Sequence, residues 1–127
     1  MRSRYSAYAT KQFSYIIETY AKAQRKNLQL LEFQQSGEGS QWLKLEILGF
    51  IEQKNTAQVE FNAFYRIDGA PEKEFYKLHE LSDFRLEDGQ WRYTTGEIFD
   101  DSGVYVQQRN ESCLCASGKK FKKCCGF

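Results

Sequence analysis

The sequence predicts an α+β protein in which helices precede an antiparallel sheet and a short cysteine-rich tail follows. Apolar residues three or four apart open the chain, the period changes to two from Trp42 onward, and all four cysteines fall in the last 15 residues. With 127 residues, 41% of them hydrophobic, the chain is long enough for one compact domain with a real core.

An apolar stripe within residues 3–23 predicts one helix or two consecutive helices. We interpret this stripe as core packed on the sheet rather than a base-stacking platform. The stripe comprises Tyr5, Tyr8, Ala9, Phe13, Ile16, Ile17 and Tyr20. A weaker helical patch comprises Leu28, Leu30, Leu31 and Phe33. The Ser-Gly-Glu-Gly-Ser segment at 36–40 is expected to separate the helices from the sheet.

Alternating apolar and polar residues predict strands from Trp42 and across residues 59–67, and a third strand from about 74 to 86. Residues 53–55 and 68–71 supply the intervening turns. Asp88-Gly89 predicts a type I′ hairpin that leads into a fourth strand from Trp91. A meander of this kind after helices predicts that the helices cover one face of a curved sheet.

We expect a hinge at residues 99–103, a first domain at 1–105 and a tail at 106–127. Residues 1–106 contain 13 basic and 16 acidic side chains, whereas residues 107–127 contain five and one. A body with this balance is unsuited to binding a polyanion, so only the tail could contact nucleic acid. The chain shows no apolar run of about 18 residues and no secretory leader, which predicts a cytoplasmic protein without a transmembrane segment.

The tail cysteines form a C-x-C pair, eight intervening residues and a CC pair. They are Cys113, Cys115, Cys124 and Cys125. Four thiolates suit a tetrahedral zinc ion, and such a closed site serves structure rather than hydrolysis. Two disulfides remain an alternative. A secreted disulfide scaffold would spread its cysteines through the chain, however, so their clustering in the tail indicates a reducing compartment and favours a metal ion. We expect the ion to supply the folding free energy of the tail, Ser117 to cap a short helix over residues 119–123, and the neighbouring lysines to offset the thiolate charge.

Residues 113–126 match C-x-C-[GA]-S-G-K-K-[FY]-K-x-C-C-G and resemble the SEC-C motif, the zinc-binding segment that also ends the bacterial preprotein translocase ATPase. Ala116 stands where that motif usually has glycine, and Arg109-Asn110 matches its usual lead-in. The translocase tail binds a protein chaperone, so the resemblance implies a surface for a protein partner with an acidic face. That surface comprises Lys119, Lys120, Phe121, Lys122 and Lys123.

Residues 1–8, 79–84 and 89–96 resemble the YchJ-like family of bacterial proteins. The resemblance implies a nuclear transport factor 2-like middle domain, which is a cone of helices wrapped by a bent antiparallel sheet. Members usually carry another cysteine cluster before the first helix, and its absence here suggests a shortened member or a truncated product. The resemblance implies a fold and a zinc site without an activity.

A cone of this type has an interior cavity, into which polar side chains of the first helix and the sheet could converge. These candidates are Arg2, Arg4, Tyr5, Tyr8, Glu80, Ser82 and Tyr93. They predict either a site for a small polar or anionic ligand or a buried ion pair that ties helix to sheet. His79 should point away from Glu80, because neighbouring residues of a strand face opposite sides.

The leading hypothesis is therefore a cytoplasmic adaptor that contains structural zinc and uses its tail to bind a protein. The alternative is a small-molecule-binding or enzymatic cone domain that uses Arg2, Tyr5 and Glu80. Weak tail binding to ribosomal RNA or anionic lipid is a third hypothesis, and the oligomeric state stays open, with a dimer as one option. Because the sequence contains no nucleophile elbow, phosphate-binding loop or metalloprotease motif, we favour a binding protein over an enzyme.

Overall fold

The computed structural model describes residues 1–37, 39–71 and 73–126. Its helices are α1 (Arg2–Ala9), α2 (Phe13–Glu18), α3 (Lys22–Arg25) and α4 (Leu30–Gly37), with a 3₁₀ turn at Phe121–Lys123. Its strands are β1 (Ser40–Glu52), β2 (Thr56–Ile67), β3 (Phe75–Glu87), β4 (Gln90–Ile98) and β5 (Gly103–Tyr105). The predicted α+β order, with helices first and antiparallel strands after them, is confirmed.

The opening apolar stripe is divided between two consecutive helices, α1 and α2, which is one of the two arrangements predicted. The chain leaves α1 at Thr10, and Lys11 adopts a φ of 59°, a left-handed conformation that a helix cannot continue through. Phe13 and Ile16 of the stripe are buried in a core with Ala7, whereas Ala9, which the prediction placed in the stripe, is exposed. The weaker patch does form α4, although Leu30 and Leu31 are exposed. The predicted break arrives after Gly37, and Glu38 within it lies outside the described residues.

The sheet is an antiparallel meander in the order β1-β2-β3-β4. Register shifts between Trp42 and Lys44, and between Ile47 and Gly49, interrupt the β1–β2 ladder, and irregularities of this kind bend a sheet. The Asp88-Gly89 hairpin has φ values of 50° and 77°, the positive values that the predicted type I′ turn requires. The turns and strands read from the sequence are thus confirmed.

The helices are joined to the sheet through the backbone of Tyr93. Its N–H donates to the carbonyl of Thr19, and its own carbonyl accepts from Ala21 N–H, both over 2.8 Å. Phe61, Ala63 and Phe84 are buried on the sheet. Among the described residues, no helix has both the length and the apolar character needed to cross a bilayer.

The tail packs on the sheet instead of standing apart from it. The predicted hinge leads into β5, which pairs with Phe75–Lys77 of β3 beyond the end of β4. Phe64 and Phe75 then form one buried cluster with Cys113, Leu114 and Phe121. Because side chains alternate along a strand, Phe64 faces away from Ala63 and so lies on the opposite side of β2. The tail, expected to have no core of its own, therefore shares one with the sheet, while the boundary near residue 105 stays a prediction.

Candidate metal centre and interior cavity

The backbone of the tail folds back so that its two cysteine pairs meet. Cys113 N–H donates to the carbonyl of Lys119 over 2.8 Å, and Ser112 and Lys120 form an isolated antiparallel bridge. The turn between them contains two left-handed residues, Ala116 with φ 64° and Gly118 with φ 82°. A left-handed φ explains why the motif usually has glycine at position 116, since a Cβ is strained there.

The four cysteine sulfurs form a cluster whose Sγ atoms all lie within 4.8 Å of one another. Cys115 and Cys124 Sγ are 3.3 Å apart, and Cys124 and Cys125 Sγ are 3.9 Å apart. Four sulfurs at about 2.3 Å from a tetrahedral ion would be separated by about 3.8 Å, so the spacing fits a metal ion. All four cysteines are free, which opposes the disulfide alternative.

The thiols differ in their surroundings, and their pKa values move in opposite directions. Hydrogen bonding, chiefly with Ser117 and then with Cys124 and Cys113, lowers the pKa of Cys115 to about 6 against the opposing effect of burial. Burial raises the pKa of Cys125 to about 12. Thiols this close cannot all ionise without a cation among them, so the cluster suits an ion that stabilises four thiolates together.

Arg66 on β2 is the residue at this site that sequence reasoning missed. Its Nη2 donates to Cys125 Sγ over 2.6 Å, and its guanidinium lies 4.9 Å above the centre of the Phe75 ring. Arg66 thus brings positive charge from the sheet to the thiols, a part that we had expected the tail lysines to play. The alternation of β2 could have placed Arg66 on the same face as Phe64, but the sequence does not show that the tail folds there.

The predicted partner surface is only partly exposed. Lys119, Lys120 and Lys123 are exposed and Lys122 is half-buried. Phe121 is a correction, because its side chain is 9% exposed and packs edge-to-face on Phe75 with ring centroids 5.9 Å apart. An apolar ring engaged in the core cannot also be presented to a partner.

Ser117 likewise differs from expectation. The 3₁₀ turn begins at Phe121 and has Lys120 at its N-cap, with no side-chain capping bond. Ser117 Oγ instead accepts from Lys119 N–H and donates to Cys124 Sγ, each over 3.2 Å. It therefore orders the turn and supports a thiol rather than capping a helix.

A cavity of about 180 Å³ lies between α1 and the sheet. Among the predicted polar candidates, those that line it are Arg4, Tyr5, Tyr8, Glu80 and Tyr93. Ser82 is fully buried and contacts Glu80, whereas Arg2 is exposed and is not part of the lining. Trp42 forms one wall without filling the space, and neither Tyr65 nor Trp91 is part of the lining.

Arg4 and Glu80 do not form the ion pair that the sequence suggested, since no pair within 4.0 Å joins them among the described residues. Arg4 Nη1 donates to the Ile16 carbonyl over 3.0 Å and to Thr19 Oγ1, and its guanidinium lies 4.7 and 4.5 Å from the ring centres of Tyr20 and Tyr93. The predicted buried ion pair between helix and sheet is therefore not formed by Arg4 and Glu80.

The hydroxyl groups around Glu80 remain donors. Glu80 Oε2 accepts from Ser82 Oγ and, over 3.3 Å, from Tyr93 Oη. Burial, followed by the charge of Glu80, raises the pKa of Tyr93. Burial also raises the pKa of Tyr8 to about 12, so both phenols keep their protons near neutral pH.

His79 lies on the other face of β3 from Glu80, as predicted. Its Nε2 is 2.7 Å from Glu60 Oε2 and its Nδ1 is 2.7 Å from Asp101 Oδ1, while Lys77 Nζ is 2.8 Å from Asp101 Oδ2. Burial lowers the pKa of His79, but hydrogen bonds to Glu60 and Asp101 outweigh it and raise the pKa overall. The histidine therefore belongs to an outer charge network and is not an acid–base partner of Glu80.

Two family models match the chain. Residues 1–96 match the model described as YchJ, middle NTF2-like domain, and residues 109–127 match the SEC-C motif. A UPF0225 protein of Shewanella sp. strain MR-4 is 38% identical over 133 residues, covering 98% of this chain and 74% of that protein. A UPF0225 protein of Geobacter sulfurreducens is 37% identical over 131 residues, covering 99% of this chain and 79% of its own length.

Two solved structures are similar in both fold and sequence. The solution structure of a SEC-C motif containing protein from Rhodopseudomonas palustris has a TM-score of 0.71 and 39% identity, covering 79% of this chain and 76% of that one. The crystal structure of a SEC-C motif containing protein from Psychrobacter arcticus has a TM-score of 0.59 and 29% identity, covering 99% and 71%. The similarity thus extends to proteins that share the tail motif.

Proposed function

Since the chain belongs to the YchJ-like UPF0225 family and carries a SEC-C motif, we propose that it is a cytoplasmic adaptor whose zinc-bound tail binds a protein partner with an acidic surface. The observation that carries the proposal is the turn between the two cysteine pairs, where Lys119, Lys120 and Lys123 are exposed while the sulfurs on either side converge.

The ion has a structural part in this proposal. The four clustered sulfurs would hold it, and Cys113 among them is already buried against the sheet. Four protein thiolates leave no coordination position for water, so the ion would supply folding free energy rather than hydrolytic chemistry. Ser117 and Arg66 would orient the thiols through the hydrogen bonds that they donate to Cys124 and Cys125.

Buried residues of the tail would fix the position of the exposed lysines relative to the sheet. Leu114 and Phe121 are anchored beside Phe64 and Phe75, so the lysines keep a constant position relative to the sheet. The charge distribution also favours binding of an acidic partner at the tail. Residues 107–127 carry five basic side chains and one acidic side chain, while residues 1–106 carry 13 basic and 16 acidic side chains. An acidic protein would be attracted to the tail and repelled by the body.

A lysine-exchange experiment tests this proposal. Lys119, Lys120, Lys122 and Lys123 are replaced together by Gln, and a matched variant carries Gln at the exposed body positions Lys11, Lys22, Lys26 and Lys54. Both variants lose the same charge, so a difference between them reports location. Proteins captured from cell extract are identified, and direct binding to the purified candidate is measured together with zinc content.

We expect the tail variant to retain zinc and lose the partner, and the body variant to retain both. Equal binding by wild type and the tail variant would contradict the proposal. Capture that nuclease treatment abolishes, or that anionic vesicles compete away, would point instead to the RNA or lipid hypotheses. Metal analysis of protein purified without added metal tests the identity of the ion separately.

A further inference from the structure

The interior cavity contains a buried carboxylate with an unused acceptor. Glu80 is 9% exposed and lines the cavity. Its Oε2 accepts from Ser82 and Tyr93, whereas its Oε1 accepts no hydrogen bond from any residue that the structure describes. Burying a carboxylate is costly unless it is hydrogen-bonded or paired, so a cavity-lining carboxylate with an acceptor that no described residue uses suits a ligand that donates to it.

Arg4 does not provide that partner. It is 4% exposed, hydrogen-bonded to Ile16 and Thr19, and placed over the rings of Tyr20 and Tyr93. It is held in this position without forming an ion pair with Glu80. Met1 and Arg4 also line the cavity, but these contacts hold Arg4 in place, so Glu80 is the acidic group in the lining that a ligand could contact. This favours a cation over the anionic ligand that was one of the sequence-based alternatives.

Aromatic rings form the walls near this carboxylate. The Tyr5 and Trp42 rings are 6.2 Å apart at 76°, and the Tyr8 and Trp42 rings are 6.5 Å apart at 59°. Phe61 and Tyr93 also line the space. Aromatic faces attract cations, and most strongly where water is excluded. A volume of about 180 Å³ limits the ligand to a small molecule, because sites for drug-sized ligands measure about 300–1,000 Å³.

We infer that this cavity binds a small organic ammonium ion, with its positive group against Glu80 and its apolar body between Tyr5, Tyr8 and Trp42. A metal cation would need more oxygen ligands than this cavity offers, and its aromatic walls could not replace them. The binding site is separate from the cysteine cluster and does not depend on the proposed adaptor function.

Three probes of one shape and different charge test the inference on the full chain. They are benzylammonium, benzyl alcohol and benzoate, each titrated while the tryptophan indole and tyrosine ring signals are followed by NMR. We expect saturable binding of benzylammonium in the millimolar range or tighter, with shifts at Tyr5, Tyr8 and Trp42. The neutral alcohol should bind at least about tenfold more weakly, and benzoate should not saturate.

Glu80→Gln keeps the shape of the side chain and should weaken benzylammonium binding at least about tenfold. The matched control is Glu60→Gln, because Glu60 contacts His79 on the outer face of the sheet and should leave the affinity unchanged. If Glu80→Gln does not fold, Tyr5→Leu decides the matter, because it removes one half-exposed ring and should weaken the ammonium probe severalfold but not the alcohol. Equal affinities for the three probes, benzoate as the tightest, no saturable binding of benzylammonium, or unchanged binding by the folded Glu80→Gln variant would each overturn the inference.

Discussion

Arg66 Nη2 lies 2.6 Å from Cys125 Sγ, so a side chain of the sheet donates directly to one of the four clustered thiols of the tail. The same guanidinium lies over Phe75, a residue of the core that the tail shares with β2 and β3. The candidate metal centre is therefore built by both segments of the chain, which links loss of metal to loosening of the sheet's outer face.

Replacing Arg66 should weaken metal binding. We expect Arg66→Gln to lower zinc affinity about 10–100-fold, the range found for residues that support metal ligands, because Cys125 loses a charged donor. Affinity is measured by competition with a chromophoric chelator. Arg85→Gln, at an exposed position of β3, is the charge-matched control and should bind zinc as wild type does. Equal affinities in the two variants would remove Arg66 from the site.

Chelation should release the tail and uncover its core residues. Without an ion, residues 109–126 should lose amide protection, because the four clustered thiols would lose the cation that holds them together and supplies folding free energy. Hydrogen exchange would follow this loss, together with increased exchange near Phe75. The core around Ile16 should stay protected, since it shares no buried residue with the tail cluster. Unchanged exchange in the tail after verified metal removal would contradict the prediction.

Gly96 should not tolerate a methyl group. A Cβ at position 96 would lie 2.6 Å from Glu80 Cδ and 2.7 Å from Tyr93 Oη, closer than such atoms can approach. We expect Gly96→Ala to lower the free energy of unfolding by about 1–3 kcal/mol, as overpacking does. Urea denaturation measures the change.

Gly49→Ala is the matched control for this substitution, because a Cβ at position 49 meets no atom within 4 Å. The control should be neutral or more stable by up to about 1 kcal/mol, since alanine restricts the unfolded chain more than glycine does. If both variants were equally stable, the close approach of Glu80 and Tyr93 to Gly96 would be wrong.

His79 should make stability depend on pH. Although burial opposes it, hydrogen bonding to Glu60 and Asp101 raises the pKa of His79 above its ordinary value of 6.5. Folding therefore favours the protonated form of His79. Its contribution to the free energy of unfolding is complete below about pH 6.5 and is lost as pH rises through the raised pKa. His79→Gln should abolish this decline in the free energy of unfolding.

The same network should also lose part of its contribution to stability at acidic pH, through Asp101. Hydrogen bonds from Lys77 and His79 lower the pKa of Asp101 to about 2, so its contribution is present above its ordinary pKa of 3.8 and is lost as pH falls through about 2. His79 is the only histidine, so its imidazole NMR signals titrate without overlap from another. Asp101→Asn should lower that titration midpoint, and a wild-type midpoint at or below 6.5 would contradict the network.

Local patterns predicted the elements of the fold well because they depend on neighbours along the chain. Alternation identified β1 to β4, and Asp88-Gly89 identified the hairpin whose positive φ values the structure shows. Pairing of β5 with the distant Phe75–Lys77 segment was not predicted, because it has no local signature, while the hinge expected at 99–103 stays a prediction. Phe121 was assigned to a surface for a similar reason, because its lysine neighbours indicate exposure while its partner Phe75 lies far away in sequence.

The sequence by itself determined which four sulfurs cluster, because a C-x-C pair and a CC pair eight residues apart can meet through a short turn. It also determined which strand face contains Glu80, since the period of a strand is two. Only the tertiary structure decided that Arg66 supports Cys125, that Phe121 is buried, and that Glu80 lines the cavity. These relationships depend on how a bent sheet brings together residues far apart in sequence, and local propensity contains no information about that approach.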